Sequence, residues 1–507
     1  MSAVSDADDK LDGAVLKIAG VVVLGAIMSI LDITVVSVAQ PTFQDVFEAS
    51  PADVAWSMTG YTLALATVIP LTGWAADRFG TKRLYLLALT LFVVGSVLCA
   101  VSWDIGSLIG FRVVQGLGGG MLMPLGMTIM TRAAGPHRVG RVMAVLGIPM
   151  LLGPIGGPIL GGWLIDQASW HWIFLINLPI GVLAFVYALL ILPKDAPEPS
   201  ESFDFIGMLL LSPGLALLLF GVSSIPEKGT VMDNRVLIPA IVGAALIAVF
   251  VWHAFRPAHP LIDLRLFKNR QLSIAVITMF LFAVAFFGAT LFIPSYFLQV
   301  RGESTLDAGL LIAPQGIGAM LTMPLAGRMV DTMGPGKIVL SGLVAIIAAM
   351  AVFTQIEADT SYWVLLGALF VMGLGMGATM MPTMTAALQT LRDHTIARGS
   401  TLMNIVQQIA ASVGTAIMSV VLTNQIKDSD FAGAATQSWQ NPEILEQLSP
   451  QMLAAGFRDA AEAFGSTYTV AFALMVLTLV PAAMLPRRKY EGPVDGEPEE
   501  KIEAPAA

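Results

Sequence analysis

Charge is scarce in this chain. Asp, Glu, Lys and Arg make up only 12% of 507 residues, against 56% hydrophobic residues, too little polarity to cover a water-facing surface. Cysteine is scarcer still: Cys99 stands alone, which excludes a disulfide framework or a thiolate metal site within one chain. The histidines, His137, His171, His253, His259 and His394, sit singly near the ends of apolar runs. They lack the neighbouring acids or nucleophile that a membrane-embedded enzyme would need. No Gly-x-x-x-x-Gly-Lys-Ser/Thr phosphate loop occurs, and Gly334-Pro335-Gly336-Lys337 has neither its spacing nor its hydroxyl, which argues against an ATP-driven pump. The formal charge of -9 comes largely from acidic tails and loops, and nothing in it points to nucleic acid as a partner.

What the chain does have is long apolar runs. About fourteen of them, each near the roughly 20 residues that cross a bilayer, alternate with short breaks rich in Gly, Pro, Asp and Arg. The runs are continuously apolar, without the alternation of barrel strands, so the fold expected is an all-α polytopic membrane protein. The expected layout is a tail over 1–14, a six-helix bundle over 15–192, an inserted helix pair over 204–256, a second six-helix bundle over 272–486 and a tail over 487–507. The stretch 424–465 inside the second bundle is expected as an external loop. Its Leu445, Leu448, Met452, Leu453 and Phe457 at near-helical spacing leave an interfacial helix open.

Basic residues sort one-sidedly among the breaks. Lys17, Arg78, Lys82, Arg83, Arg132, Arg138, Arg141, Arg265, Arg328, Arg398 and Arg487 fall on one side with both tails, while Lys228, Arg235, Arg301, Lys427 and Arg458 fall on the other. Positive charge marks the cytoplasmic side, so both termini are expected in the cytoplasm. The acidic start lacks a basic leader region and a small-residue cleavage site, so the first span is expected to be retained.

The chain matches itself at an offset of about 255 residues, as duplicated transporter halves do. Gly73, Asp77 and Gly80 recur as Gly327, Asp331 and Gly334; the glycine run Gly116 to Gly120 recurs as Gly373, Gly375 and Gly377; Arg141 and Gly157 find Arg398 and Gly414. Features needed to fold a half should appear in both copies. The glycines do. Arg112 and Gln115, however, align with Leu369 and Met372, and Asp32 with an apolar position near Phe286, so these polar groups are not a folding requirement.

Asp32 lies deep in the first run, where an ionised side chain costs on the order of 2.5 to 3.5 kcal/mol. That penalty on the charged form makes it a candidate proton carrier; a carboxylate that only ties helices together is the plainer alternative. Along their helices Asp32 lies roughly 13 Å and Arg112 roughly 9 Å from the external ends, so the two, with Gln115 one turn on, are expected at one depth. In the break after the second run, Gly73, Asp77, Arg78, Gly80 and Arg83 combine an acid, turn glycines and cations, and the recurrence at Asp331 points to a gating role. Gly153, Gly157 and Gly161 share a helix face, with Gly162 beside them and Pro158 as a kink; physics alone reads this as helix packing. Met123 and Met380 are either adaptable walls of a substrate cavity or core filler. Asn404, Gln407 and Gln408 are either substrate contacts or interhelical hydrogen-bonding groups.

These motifs together resemble the major facilitator superfamily, in particular its fourteen-span drug:proton antiporters of the EmrB/QacA type. Leu31 to Val36 resembles the first-span motif, Gly73 to Arg83 the loop signature after span two, Arg112-Val113-Val114-Gln115-Gly116 the fourth-span motif linked to proton coupling, Gly153 to Gly162 the fifth-span antiporter motif, and Trp170 to Gly181 the segment entering span six. His171, Ser37 and Gln40 depart from the usual residues of those motifs. The resemblance implies two six-helix bundles plus an inserted pair, and proton coupling through Asp32, Arg112 and Gln115. It implies multidrug export of small amphipathic, often cationic compounds by alternating access, with the proton gradient rather than a cofactor as energy source. It also tilts the glycines and Pro158 of span five toward function. The implied partners are protons, membrane lipids and substrate, with an accessory envelope protein left open, and the implied location is a bacterial-type inner membrane. A lipid or metabolite exporter and a proton symporter remain alternatives within the same fold.

Overall fold

The computed structural model describes residues 13–135, 138–195, 202–225, 232–257, 259–391, 393–429, 431–439 and 448–488. The N-terminal half comprises α1 (Gly13–Val38), α2 (Gln40–Phe47), α3 (Pro51–Phe79), α4 (Thr81–Ala100), α5 (Ile105–Ala134), α6 (Val139–Gln167), α7 (Trp172–Leu175) and α8 (Asn177–Ile191). The inserted pair is α9 (Phe205–Ser223) and α10 (Asn234–His253). The C-terminal half comprises α11 (Arg270–Thr290), α12 (Phe292–Gln299), α13 (Thr305–Met333), α14 (Pro335–Phe353), α15 (Tyr362–Leu388), α16 (Asp393–Lys427), α17 (Ala432–Ser438) and α18 (Pro450–Ala483). Among the described residues thirteen helical spans are long and apolar enough to cross a membrane. Helix α6, 29 residues long, packs along α1 and α13.

Local chemistry sets the helix boundaries. Ser50, Asp104, Ser304 and Ser449 each accept a backbone N–H from the first turn of α3, α5, α13 and α18, and Pro51 and Pro450 follow two of these caps where no N–H is needed. Gly80 and Gly334, equivalent in the repeat, end α3 and α13 at φ 92° and 84°, a backbone conformation that a side chain would strain.

The duplication is visible in the packing. In one half α3 and α4 pack on α5 and α1 packs on α6; in the other α13 and α14 pack on α15 and α11 packs on α16. The halves meet through α6 against α13 and, symmetrically, α3 against α16.

The stretch 424–465 differs from the loop expected. Helix α16 runs to Lys427, α17 covers 432–438, and α18 begins at Pro450 rather than near 466. The Ser449 cap, Pro450 and the alanines of Ala454-Ala455 and Ala460-Ala461 favour an early helix start. Trp439 stacks on Phe457 at 5.4 Å, and Gly456 fits against Phe431 and Ala435, so α17 folds onto the first turns of α18, which carry Met452, Leu453 and Phe457. Leu445 lies outside the described residues.

Candidate transport site

Helix α5 carries the site because glycines let it approach its neighbours closely. A side chain at Gly116 would strike the Tyr61 carbonyl of α3, and one at Gly95 of α4 would strike Gln115. This close fit leaves the Arg112 and Gln115 side chains, one turn apart, fully buried among α1, α3 and α4.

Asp32, Arg112 and Gln115 meet as the sequence predicts. Arg112 Nη1 donates to Asp32 Oδ2 at 2.5 Å and to Gln115 Oε1 at 2.7 Å. Gln115 Nε2 donates to Asp32 Oδ1 at 2.7 Å and to Ser96 Oγ at 2.7 Å. The Arg112 Nε–H reaches the Ser57 carbonyl at 3.2 Å, and the guanidinium lies 4.2 Å from the centre of the Tyr61 ring. Asn177, at the start of α8, adds a third donor to the carboxylate: its Nδ2 lies 3.1 Å from Asp32 Oδ1 and 3.3 Å from Ser96 Oγ. Each of these three partners of Asp32 is a donor, so in this arrangement the carboxyl group serves only as acceptor. Sequence reasoning did not single out Asn177, Ser96, Ser57 or Tyr61. The signal for Asn177 was available, an amide at the mouth of an otherwise apolar run.

The glycines of α6 hold α1 in register beside this network. Side chains at Gly153, Gly157 and Gly161 would meet Ile30, Thr34 and Val35 of α1, and Thr34 Oγ1 donates to the Gly153 carbonyl at 3.0 Å. Gly162 has no described atom within 4 Å of where a Cβ would sit. The Pro158 ring lies outside the described side chains.

At one end of the molecule the two repeated aspartates reach across the halves. Asp77 lies 3.2 Å from Arg132 Nη2 of its own half and 3.7 Å from Arg398 Nε of α16. Asp331 accepts backbone N–H groups of Gly140 at 3.0 Å and Arg141 at 3.3 Å, with Arg141 Nε at 3.6 Å. Each aspartate thus meets the start of a helix in the opposite half, and the arginines contacted, Arg141 and Arg398, are themselves repeat equivalents. Gly73 packs against Ala397 and Arg398. Gly80 and Arg83 belong to a different contact within the N-terminal half. Asp195 caps α4 through the N–H groups of Lys82 and Arg83 at 2.8 and 3.0 Å, and Gly80 lies against the same side chain. Arg78 is half-buried in the last turn of α3.

The candidate cavity residues divide. Asn404 lies on the seam between halves, its amide 3.2 Å from Met127 Sδ and 2.8 Å from the Ser400 carbonyl, while Ser400 Oγ and Thr128 Oγ1 pair across the halves at 2.8 Å. Gln407, Gln408 and Met123 are half-buried. Met380 takes the second of its two readings: it is fully buried in the apolar core, where flexible thioethers fill irregular gaps.

Residues 22–415 match the sequence family described as Major Facilitator Superfamily. The chain belongs to the major facilitator superfamily. It is a multi-pass membrane transporter, not an enzyme. Within the superfamily it is 52% identical over 495 residues, 95% of this chain and 92% of the relative, to a protein of Mycobacterium tuberculosis named multidrug resistance protein B homolog. Solved structures share the fold at low identity. The human organic anion transporter MFSD10 superposes with a TM-score of 0.61 at 15% identity, over 92% of this chain and 100% of its own. The proton:xylose symporter XylE superposes with a TM-score of 0.54 at 16% identity, over 92% and 96%.

Proposed function

We propose that this transporter is a proton-coupled multidrug exporter of the fourteen-span antiporter kind, moving small amphipathic compounds outward by alternating access in a bacterial inner membrane. One observation carries the reading: the buried Asp32 carboxylate is surrounded by donors from Arg112, Gln115 and Asn177. A proton placed on Asp32 would point at groups that cannot accept it. Protonation therefore requires Arg112 and Gln115 to re-pair, and those residues sit on α5, which also packs on α16 of the other half. Arg112 Nη2 is buried without a hydrogen-bond partner among the described residues, an arrangement costing about 1 to 3 kcal/mol that favours such a rearrangement. Proton uptake and helix movement are linked in this scheme by hydrogen-bond inventory alone.

Sidedness is supported by the excess of Lys and Arg at the latched end. The described ends of α1 and α18 lie there as well: Ala14 and Val15 line a cavity with Asp77 and Arg132, and the Pro486 carbonyl accepts the Gly336 N–H. That end is closed by the aspartate latches. The name of the Mycobacterium tuberculosis relative supports drug export.

The test is counterflow in everted vesicles. An amphipathic cation should accumulate inside as protons leave, and Asp32→Asn, compared at a matched amount of folded protein because it leaves Arg112 without its counter-charge, should abolish accumulation. Proton movement in the same direction as substrate would make the protein a symporter. Lipid translocation in proteoliposomes without drug movement would make it a lipid exporter.

A further inference from the structure

Ser57 of α3 keeps its hydroxyl out of the hydrogen bond that its own helix offers. The side chain is fully buried, yet Oγ has no hydrogen-bond partner among the described residues. A hydroxyl inside a helix can return to the carbonyl one turn back, and all four threonines of α3 do so: Thr59 to Ala55, Thr62 to Met58, Thr67 to Leu63 and Thr72 to Val68. Ser57 is the exception, and an unpaired buried hydroxyl is costly enough to need a reason.

Its neighbour supplies one. Arg112 Nε–H donates to the Ser57 carbonyl at 3.2 Å. Nε–H and one N–H of Nη2 share an edge of the planar guanidinium, and Nη2 is likewise buried without a partner among the described residues. An orphaned donor and an orphaned acceptor thus belong to two residues already in contact, while Nη1 alone serves Asp32 and Gln115.

The repeat shows that folding does not require this hydroxyl. The register that pairs Gly73 with Gly327 also pairs Ser50 with Ser304 and Asp53 with Asp307, and in both halves the serine caps its helix through the aspartate N–H. Between these kept positions Ser57 falls on Leu311, in the half where Arg112 falls on Leu369. The hydroxyl is present where the arginine is present and absent where it is absent.

We propose that Ser57 is the positioning residue that receives Arg112 when Asp32 takes up its proton: Nε stays anchored on the Ser57 carbonyl, and the Nη2–H passes to the Ser57 hydroxyl as the contact with Asp32 is given up. The inference rests on the proton-coupling reading above and names the partner of the re-paired arginine. The only covalent change in this step is the proton gained by Asp32; the arginine keeps its charge throughout. The charged tie passes from α1, which packs on α6, to α3, which packs on α9 and on α16 of the other half. Besides Asp32 and Arg112, the titratable groups at this site among the described residues are Tyr61 of α3 and Cys99 of α4, a phenol and a thiol that at their ordinary values carry no charge from about pH 5.5 to 7.5.

Two comparisons on the full-length protein test this. With Asp32 ionised, Ser57→Ala removes no hydrogen bond, so its unfolding temperature in detergent should equal or exceed that of the unmodified protein. Introduced into the Asp32→Asn protein, which mimics the proton-loaded carboxyl, the same change should lower it. In proteoliposomes, ethidium–proton counterflow by Ser57→Ala, at a matched amount of folded protein, should fall about tenfold, the scale of one hydrogen bond to a charged group. Its half-maximal point should move about one pH unit to the acid side, because a proton-loaded state deprived of its acceptor needs more protons to form. Ser57→Thr, which keeps the hydroxyl, should restore both. Equal effects of Ser57→Ala on unfolding in the two backgrounds, or an unshifted pH profile, would overturn the proposal, since a merely structural hydroxyl acts alike at every pH. Absence of ethidium–proton counterflow by the unmodified protein would instead overturn the export reading, and the unfolding comparison would still decide the role of Ser57.

Discussion

Two buried charges set the terms at the scale of single residues. Breaking a buried pair by removing one partner costs about 3 to 5 kcal/mol, because the other charge is left uncompensated. Arg112→Ala should therefore lower the unfolding temperature in detergent markedly, whereas Asp32→Asn/Arg112→Gln should regain most of that stability and none of the transport. Recovery of transport in the double variant would show the pair to be structural. Asn177→Leu removes one donor from the carboxylate and from Ser96. It should reduce proton-coupled counterflow while substrate binding, followed by fluorescence, persists. The sequence made Asp32, Arg112 and Gln115 legible because each is costly in an apolar run. It left Ser57 and Tyr61 obscure because one meets Arg112 through a main-chain carbonyl that any residue carries and the other through its ring face.

Helices meet through glycine faces, and that is where whole elements can be displaced. Gly157 lies directly against Thr34, so Gly157→Val would push α6 off α1; overpacking of this kind typically costs about 1 to 3 kcal/mol. The expected outcome is a lower unfolding temperature together with loss of counterflow, since Thr34 is half a turn from Asp32. A wild-type melting curve for Gly157→Val would show that α1 and α6 are not packed as described. The periodicity of Gly153, Gly157 and Gly161 gave away a packing face, but not its partner. Contact with α1 rather than another helix is settled by three-dimensional proximity. Likewise the early start of α18 was hidden because its first turns are too polar to resemble a span, although Ser449 and Pro450 mark the boundary.

Across the whole molecule, the two aspartate latches hold one end shut. Among their residues only Arg132 is as much as one-third exposed, while Asp77, Asp331, Arg141 and Arg398 are nearly buried, so water screens the Asp77–Arg132 contact more than the contacts across the halves. Asp77→Asn/Asp331→Asn should shift the population away from the latched state without unfolding the protein. Spin labels on the latched ends of α3 and α16 would report the change as a longer distance distribution, and an unchanged distribution would show that the latches do not hold this state. The repeat made both aspartates visible and also their arginine partners, since Arg141 and Arg398 recur at the same offset. It did not show that each aspartate reaches into the opposite half.

Sequence alone determined the solvent, the helical class, the duplication and the chemically unusual residues, because hydropathy, period and the cost of burying charge are local properties readable one position at a time. Tertiary structure decided which donors surround Asp32, where α9 lies relative to α3 and α16, and that Met380 belongs to the core. Those depend on which helix faces touch, and apolar faces in a membrane look alike until they are packed.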